Sequence, residues 1–160
     1  MTLTGVKRLF VDTNILIFAT NSTSPWHLPA TNVLQEARRL GIELIINPQV
    51  IREYLAAATR PSSTAAPLPL AAIITNVRIL QTNFQLVEDN ALVSAKLIDL
   101  FSQVTVGGKQ IHDANVVATM QVHNITHLLT HNLADFVRFA HLITVLPLSV
   151  NPKQSEKMGS

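Results

Sequence analysis

Residues 9–14 read Leu-Phe-Val-Asp-Thr-Asn, and this stretch already indicates the fold class. Three large apolar residues in a row, without alternation, are typical of a strand that is covered on both faces, as in a parallel sheet. The run stops at Asp12, and residues 13–19 can begin a helix immediately. A covered strand that leads directly into a helix predicts the α/β class with a parallel sheet.

The same alternation of short apolar runs and segments of helical period continues along the rest of the chain. The predicted strands are 9–11, 42–46, 84–87, 127–130 and 143–146. The predicted helices are 13–19, 30–40, 48 to near 61, 70–80, 91–101, 111–122 and 133–139. We expect one domain over residues 1–150, a flexible loop at 61–69 and a polar, disordered tail at 151–160.

Composition narrows the class of protein further. The chain has 160 residues, no cysteine, 48% hydrophobic residues and a formal net charge of +2. The absence of cysteine excludes disulfide scaffolds, thiol catalysis and cysteine-ligated zinc or iron–sulfur sites. Mean hydropathy is +0.29, but the apolar runs stay shorter than about 18 residues, so we expect no membrane-spanning helix. Asp12 also interrupts the N-terminal apolar run where the apolar region of a signal peptide would have to continue. We therefore predict a cytoplasmic protein.

Acidic side chains stand near predicted strand ends and helix starts. Taken alone, Asp12 is typical of a residue that caps the following helix. Glu53 has no cation at helical spacing on its own helix. Asp113 shares a helical stripe with apolar Val116 and Val117, so its charge needs a partner, and Lys109 is the nearest candidate.

Asn132 and Asp135 follow the fourth predicted strand. The functional crevice of an open α/β sheet lies beyond the carboxyl ends of its strands, so we expect these side chains near Asp12. Several carboxylates at one edge repel each other unless a divalent cation neutralises them, and hard oxygen ligands select Mg²⁺ or Mn²⁺. The pattern therefore predicts a metal site.

Four motifs in this order resemble the PIN-domain ribonucleases, including the VapC-type toxins. They are Phe-Val-Asp-Thr-Asn at 10–14, a lone helical Glu at 53, Ile-His-Asp-Ala at 111–114 and Leu-Leu-Thr-His-Asn-Leu-Ala-Asp-Phe at 128–136. The resemblance covers about residues 8–147. It implies a PIN-like domain with helices flanking a central parallel sheet, and Mg²⁺- or Mn²⁺-dependent cleavage of RNA to 5′-phosphate and 3′-hydroxyl ends. It also implies a frequent homodimer and, as in VapC toxins, a cognate antitoxin.

The resemblance assigns catalytic and metal-binding roles to Asp12, Glu53 and Asp113. The fourth position of the family pattern, commonly Asp, is Asn132 here, which offers only a neutral carbonyl oxygen. Asp135 is then a candidate to supply the missing charge. Thr130 matches the polar residue beside the site. Candidate substrate-binding residues are Asn14, Thr130, Arg52, Lys109, His131 and Arg138.

Other functions compete with this interpretation. The evenly spaced histidines 123, 127 and 131 invite a zinc site, and His112-Asp113 is similar to the adjacent pair of the all-helical HD-type phosphohydrolases. A response-regulator receiver is also α/β with clustered acids. Because Asn132 replaces an acid, a further hypothesis is an inactive module of the same fold that binds RNA or a protein.

Overall fold

The structure, a computed structural model, describes residues 2–61 and 68–149. Positions 62–67 of the predicted loop and the predicted tail at 151–160 lie outside the described residues. Across the described ranges, every helix is too short or too polar to cross a bilayer.

Within the described residues, five parallel strands form one sheet in the order β3-β2-β1-β4-β5. The strands are β1 (Arg8–Val11), β2 (Glu43–Ile46), β3 (Gln85–Leu86), β4 (His127–Leu129) and β5 (Thr144–Leu146). The predicted parallel sheet is confirmed. The third strand is shorter than predicted and contains only Gln85 and Leu86. Phe84 and Val87, on either side of it, are buried but do not belong to the strand.

Helices connect the strands and cover the sheet. They are α1 (Thr13–Thr20), α2 (His27–Arg39), α3 (Pro48–Thr59), α4 (Leu70–Asn83), α5 (Ala91–Gln103), α6 (Gln110–Val122) and α7 (Leu133–Phe136). A turn of 3₁₀-helix, Val137–Phe139, follows α7, so the last predicted helix has two parts. Helix α1 packs against α2 and α3, and α5 packs against α6.

Local sequence fixes where the elements before the site begin and end. Gly41 has a φ of +72° and stops α2, as a residue in the left-handed region typically does. The Asn47 side chain accepts a hydrogen bond from the Val50 amide at 3.0 Å, and Pro48 occupies the first turn. Helix α3 therefore starts directly after β2, at the carboxyl edge of the sheet.

The central strands form the middle of the core. Leu9, Phe10 and Val11 in β1 are fully buried, as are Ile45 in β2 and Leu128 in β4. In register, Phe10 stands between Ile45 and Leu128. Burial on both faces explains why β1 has three consecutive apolar residues instead of an alternating pattern.

The sheet excludes two of the alternative functions. A receiver has the flavodoxin-like order 2-1-3-4-5, whereas this sheet has the order 3-2-1-4-5. The HD-type phosphohydrolases are all-helical, which the parallel sheet contradicts. Neither alternative describes this chain.

Candidate active site

The register of β1 and β4 brings Asp12 and Thr130 together. Val11 pairs with Leu129 across the two strands, so the next residue of each strand lies at the same level of the sheet edge. The Asp12 amide donates to the Leu129 carbonyl at 3.0 Å, and the Thr130 hydroxyl donates to Asp12 Oδ2 at 2.8 Å. A contact between residues 118 positions apart thus follows from strand pairing.

Asp12 is buried and held by several donors. Its Oδ1 accepts from the Thr13 amide at 2.8 Å, and its Oδ2 also accepts from Asn14 Nδ2 at 3.2 Å. The predicted helix cap is therefore present, but it accounts for only one of these bonds. Burial raises the pKa of Asp12 above its usual value even though the bonds from Thr130 and Thr13 lower it, and the charges of Glu53 and Asp135 raise it further.

Asn14 and Thr130 tie the loop after β4 to the start of α1. Asn14 Nδ2 donates to the Thr130 hydroxyl at 3.2 Å, and Asn14 Oδ1 accepts from the His131 amide at 3.0 Å. The Asn132 amide donates to the same Thr130 hydroxyl at 3.1 Å. These bonds occupy the side chains of Asn14 and Thr130 within the protein.

Glu53 reaches the same edge from α3. The Thr13 hydroxyl donates to Glu53 Oε2 at 2.8 Å, and Gln49 Nε2 donates to Glu53 Oε1 at 2.8 Å. Since the Thr13 amide donates to Asp12 and the Thr13 hydroxyl to Glu53, this one residue links the first two acids of the site. Both donors are neutral, and each Glu53 oxygen keeps a lone pair for another ligand.

Asp113 lies in the first turn of α6 and is half-buried. Burial raises the pKa of Asp113 to about 7, and the negative charges of Asp135, Asp12 and Glu53 add to this increase, while the charge of Arg138 partly offsets it. Among the described residues, no side chain donates a hydrogen bond to the Asp113 carboxylate. Its charge is thus neither solvated fully nor paired.

Asp135 and Asn132 differ in what they contribute. The charge of Asp135 raises the pKa of both Asp12 and Asp113, which places this carboxylate at the same cluster. The Asn132 side chain is exposed and makes no hydrogen bond to the described residues. Asp135 is itself exposed, and its negative charge acts on Asp12 and Asp113, whereas Asn132 adds no charge.

The cations near the acids are not arranged as predicted. Lys109 is exposed and forms no ion pair with Asp113, so its prediction as the partner of that acid is wrong. Arg138 instead faces this region: its Nη1 donates to Gln110 Oε1 at 2.7 Å and to the Thr105 carbonyl at 3.0 Å. Arg52 is exposed on α3. Within residues 2–61 and 68–149, the ion pairs are those of Arg8 with Glu43 and Arg39 with Glu36.

The profile of the PIN domain family matches residues 9–142. This chain belongs to the PIN-domain family. A search of curated proteins finds no match.

Solved structures show the same fold as this PIN domain at low identity. VapBC2 from Rickettsia felis bound to a promoter DNA fragment is 14% identical, with a TM-score of 0.63 over 89% of this chain and 99% of that one. VapBC-1 from nontypeable Haemophilus influenzae is 16% identical, with a TM-score of 0.63 over 88% and 98%. VapC20 from Mycobacterium tuberculosis, a sarcin-ricin loop cleaving toxin, is 16% identical, with a TM-score of 0.59 over 75% and 86%.

The three histidines of the zinc interpretation lie apart in the PIN domain. His123 Nε2 contacts the Glu88 carbonyl at 2.8 Å, and His127 Nδ1 contacts the Thr126 hydroxyl at 2.9 Å at the amino end of β4. His131 follows the carboxyl end of that strand. Its ring centroid is 4.2 Å from that of Trp26.

Three residues of the site were not predicted from the sequence. Thr13 bonds to Glu53, Gln49 bonds to Glu53, and Asn115 Nδ2 donates to Gln49 Oε1 at 2.8 Å. The spacing of Gln49 and Glu53, four positions apart on one helix, is a signal that could have found one of them. The contact of Asn115 with Gln49 has no such signal, because it joins two helices.

The donor chemistry of the PIN domain fits a hard divalent cation, because carboxylate oxygens are the ligands that Mg²⁺ and Mn²⁺ prefer. In the described ranges, no group of three or more His, Asp or Glu side chains stands close enough to hold an ion. Mutual repulsion of uncompensated carboxylates favours such separation. Coordination by Asp12, Glu53 and Asp113 would therefore require movement, above all of Asp113, whose carboxylate no described side chain holds.

Proposed function

We propose that this PIN domain is a divalent-cation-dependent endoribonuclease. Asp12, Glu53 and Asp113 hold Mg²⁺ or Mn²⁺, with Asn132 and Asp135 completing the site. The observation that carries the proposal is that Asp12, Glu53 and Asp135 lie near enough to Asp113 that burial and their charges together raise the pKa of that carboxyl to about 7. In the described part of the chain, no lysine or arginine pairs with these acids.

An arrangement of this kind costs folding free energy, because like charges are held together in a partly buried site. A cation that binds the folded state only would recover this free energy. The family match makes nucleic acid cleavage the chemistry in which such a site is useful.

When bound, the divalent cation supplies a Lewis acid that lowers the pKa of water and offsets charge on the phosphodiester. Asp12 is kept in one orientation by Thr13, Asn14 and Thr130, so it is ready to ligate with little loss of side-chain freedom. Arg138 lies close enough to Asp113 to affect its pKa, and its positive charge is proposed to attract a substrate phosphate. His131, Lys109 and Arg52 remain proposed phosphate contacts.

The biological role that we propose is that of a toxin with a cognate antitoxin. Support comes from the similar structures, which include VapBC complexes and the toxin–antitoxin complex from Klebsiella pneumoniae, 19% identical with a TM-score of 0.62. RNA is the proposed substrate because VapC20 is a sarcin-ricin loop cleaving toxin. A homodimer in the cytoplasm is part of the same proposal.

RNA cleavage by the purified chain tests the enzymatic proposal. We expect cleavage with Mg²⁺ or Mn²⁺, none with a chelator, and none by Asp12→Asn while that variant keeps its circular dichroism spectrum. Equal cleavage by the wild type and Asp12→Asn would refute the assignment.

An inactive module that binds RNA or a protein is the second candidate, and the observation in its favour is Asn132 at the fourth acidic position. The charge of Asp135, which acts on Asp113, weakens this argument for an inactive module. The two candidates differ in one measurement: an inactive module binds RNA equally well with a chelator and releases no shortened product with either metal.

A further inference from the structure

Gln49 is a buried amide that touches two of the proposed ligand-bearing segments, with only 5% of its surface exposed. Its Nε2 donates both to Glu53 Oε1 at 2.8 Å and to the carbonyl of His112 at 3.0 Å. The His112 carbonyl belongs to the peptide unit that carries the Asp113 amide. One side-chain amide thus joins the second acid to the backbone of the third.

A further hydrogen bond fixes which way this amide points. Gln49 Oε1 accepts from Asn115 Nδ2 at 2.8 Å, and Asn115 Nδ2 also donates to Asp89 Oδ2 at 3.0 Å. Because the carbonyl oxygen of Gln49 faces a donor, its NH₂ group must face Glu53 and His112. The result is a continuous chain of bonds from Asp89 through Asn115 and Gln49 to Glu53.

From this geometry we propose that Gln49 is a positioning residue that sets the separation of Glu53 and Asp113 and thereby tunes the affinity of the metal site. The proposal rests on the proposed function, since it assumes that these acids hold a cation. Groups behind a metal ligand orient it, and their loss commonly lowers metal affinity by about 10- to 100-fold.

Helices α3 and α6 are joined by a second buried pair, which provides a matched control. Asn47 Nδ2 donates to the Thr119 hydroxyl at 3.2 Å, and both residues are fully buried. This pair touches none of the four clustered carboxylates. The Thr119 hydroxyl also donates to the Asn115 carbonyl at 2.8 Å, a bond within α6. Thr119→Val removes the hydroxyl and keeps the shape of the side chain, so it weakens the packing of the same two helices without changing the side chains of Gln49 and Asn115.

The experiment measures Mn²⁺ binding to the full chain by electron paramagnetic resonance of the free ion, which needs no substrate. We expect Gln49→Leu to weaken Mn²⁺ binding by about 10- to 100-fold. Asn115→Ala, which frees the Gln49 amide without removing it, should weaken binding less, and Thr119→Val should bind as the wild type does. Asn115→Ala also keeps the test available if Gln49→Leu fails to fold.

Activity adds a readout that a purely structural role would not move. Raising the Mn²⁺ concentration should restore RNA cleavage by Gln49→Leu, because its ligands are still present, but not by Asp12→Asn. Equal Mn²⁺ affinity in the wild type, Gln49→Leu and Asn115→Ala overturns the positioning role alone. Equal weakening by Thr119→Val also overturns it, because the effect would then be general packing. A wild type that binds no Mn²⁺ overturns the proposed function and this inference together.

Discussion

The two ends of the parallel sheet differ in whether their charged side chains are ion-paired. At the amino end, Arg8 Nε donates to Glu43 Oε2 at 2.9 Å, and the guanidinium also reaches the His123 carbonyl, so the charges are paired. At the carboxyl end, Asp12 and Asp113 have raised pKa values and no cation within ion-pairing distance among the described residues. Paired charges indicate a structural role, whereas uncompensated charges with shifted pKa values are typical of a binding or catalytic site.

The largest expected effect compares the same substitution at the two ends. Glu53→Gln removes a proposed ligand charge, and we expect metal-dependent RNA cleavage to fall by more than about 100-fold, beyond what loss of a residue behind a ligand costs. Glu43→Gln should leave cleavage within about 2-fold of wild type, since an exposed ion pair contributes little. Initial rates at saturating Mn²⁺ provide the measurement. Similar losses in both variants would contradict a functional difference between the two ends.

The free energy of unfolding should depend on pH through Asp113. Its pKa is higher in the folded state than the ordinary value of 3.8, so protons favour folding. In chelator, stability should be greatest below about pH 4 as far as this group is concerned, and fall until about pH 7. Solvent screening of a half-exposed group limits the loss to about 1 to 2 kcal/mol.

Asp113→Asn isolates that contribution, because it keeps the size of the side chain and removes the charge. Urea unfolding of both proteins at pH 5 and pH 8 should show a smaller loss of stability for the variant. Added Mn²⁺ should stabilise the wild type at pH 8 more than the variant. An identical pH dependence for the two chains would show that Asp113 carries no uncompensated charge.

Asn132→Asp would sharpen the contrast by adding a carboxylate to the charged end. If Asn132 faces the cation, the added charge should tighten Mn²⁺ binding by about 3- to 10-fold, or about 1 kcal/mol. Asn21→Asp is a suitable control, since Asn21 is exposed at the end of α1 and bonds to Thr23. Unchanged Mn²⁺ affinity in Asn132→Asp would assign the fourth position to Asp135 alone.

The smallest expected effect is on stability at the amino end. Glu43→Gln removes one member of an ion pair whose side chains are 33% and 45% exposed. Its free energy of unfolding should change by less than about 1 kcal/mol, and salt should reduce the difference. A loss of several kcal/mol in urea unfolding would mean that this pair is far more important to the fold than its exposure suggests.

The sequence predicted the strands at the centre of the sheet because burial on both faces leaves a simple apolar run, as in β1. Helix boundaries were harder to predict. Helix α2 begins at His27 and not at residue 30, since Pro29 in its first turn needs no hydrogen-bond partner for its nitrogen and is compatible with helix. The acids of the site could be proposed from their positions after strands and in early helical turns.

The remaining parts of the site depend on contacts between distant segments. Gln49 and Asn115 are 66 positions apart, and no periodicity within either helix indicates that they meet. Proximity in sequence favours Lys109 as the cation beside Asp113. The nearer charge is that of Arg138, which lowers the pKa of Asp113 without forming an ion pair, because the 3₁₀ turn after α7 brings its guanidinium to Gln110 at the start of α6. Tertiary packing, and not local pattern, decides such pairs.

A crystal soaked in Mn²⁺ tests most directly whether the carboxyl end of the sheet is a metal centre. An anomalous peak with Asp12, Glu53 and Asp113 drawn in around it is the predicted result. Density that shows these three carboxylates still apart, with no anomalous peak between them at saturating Mn²⁺, would contradict the proposal.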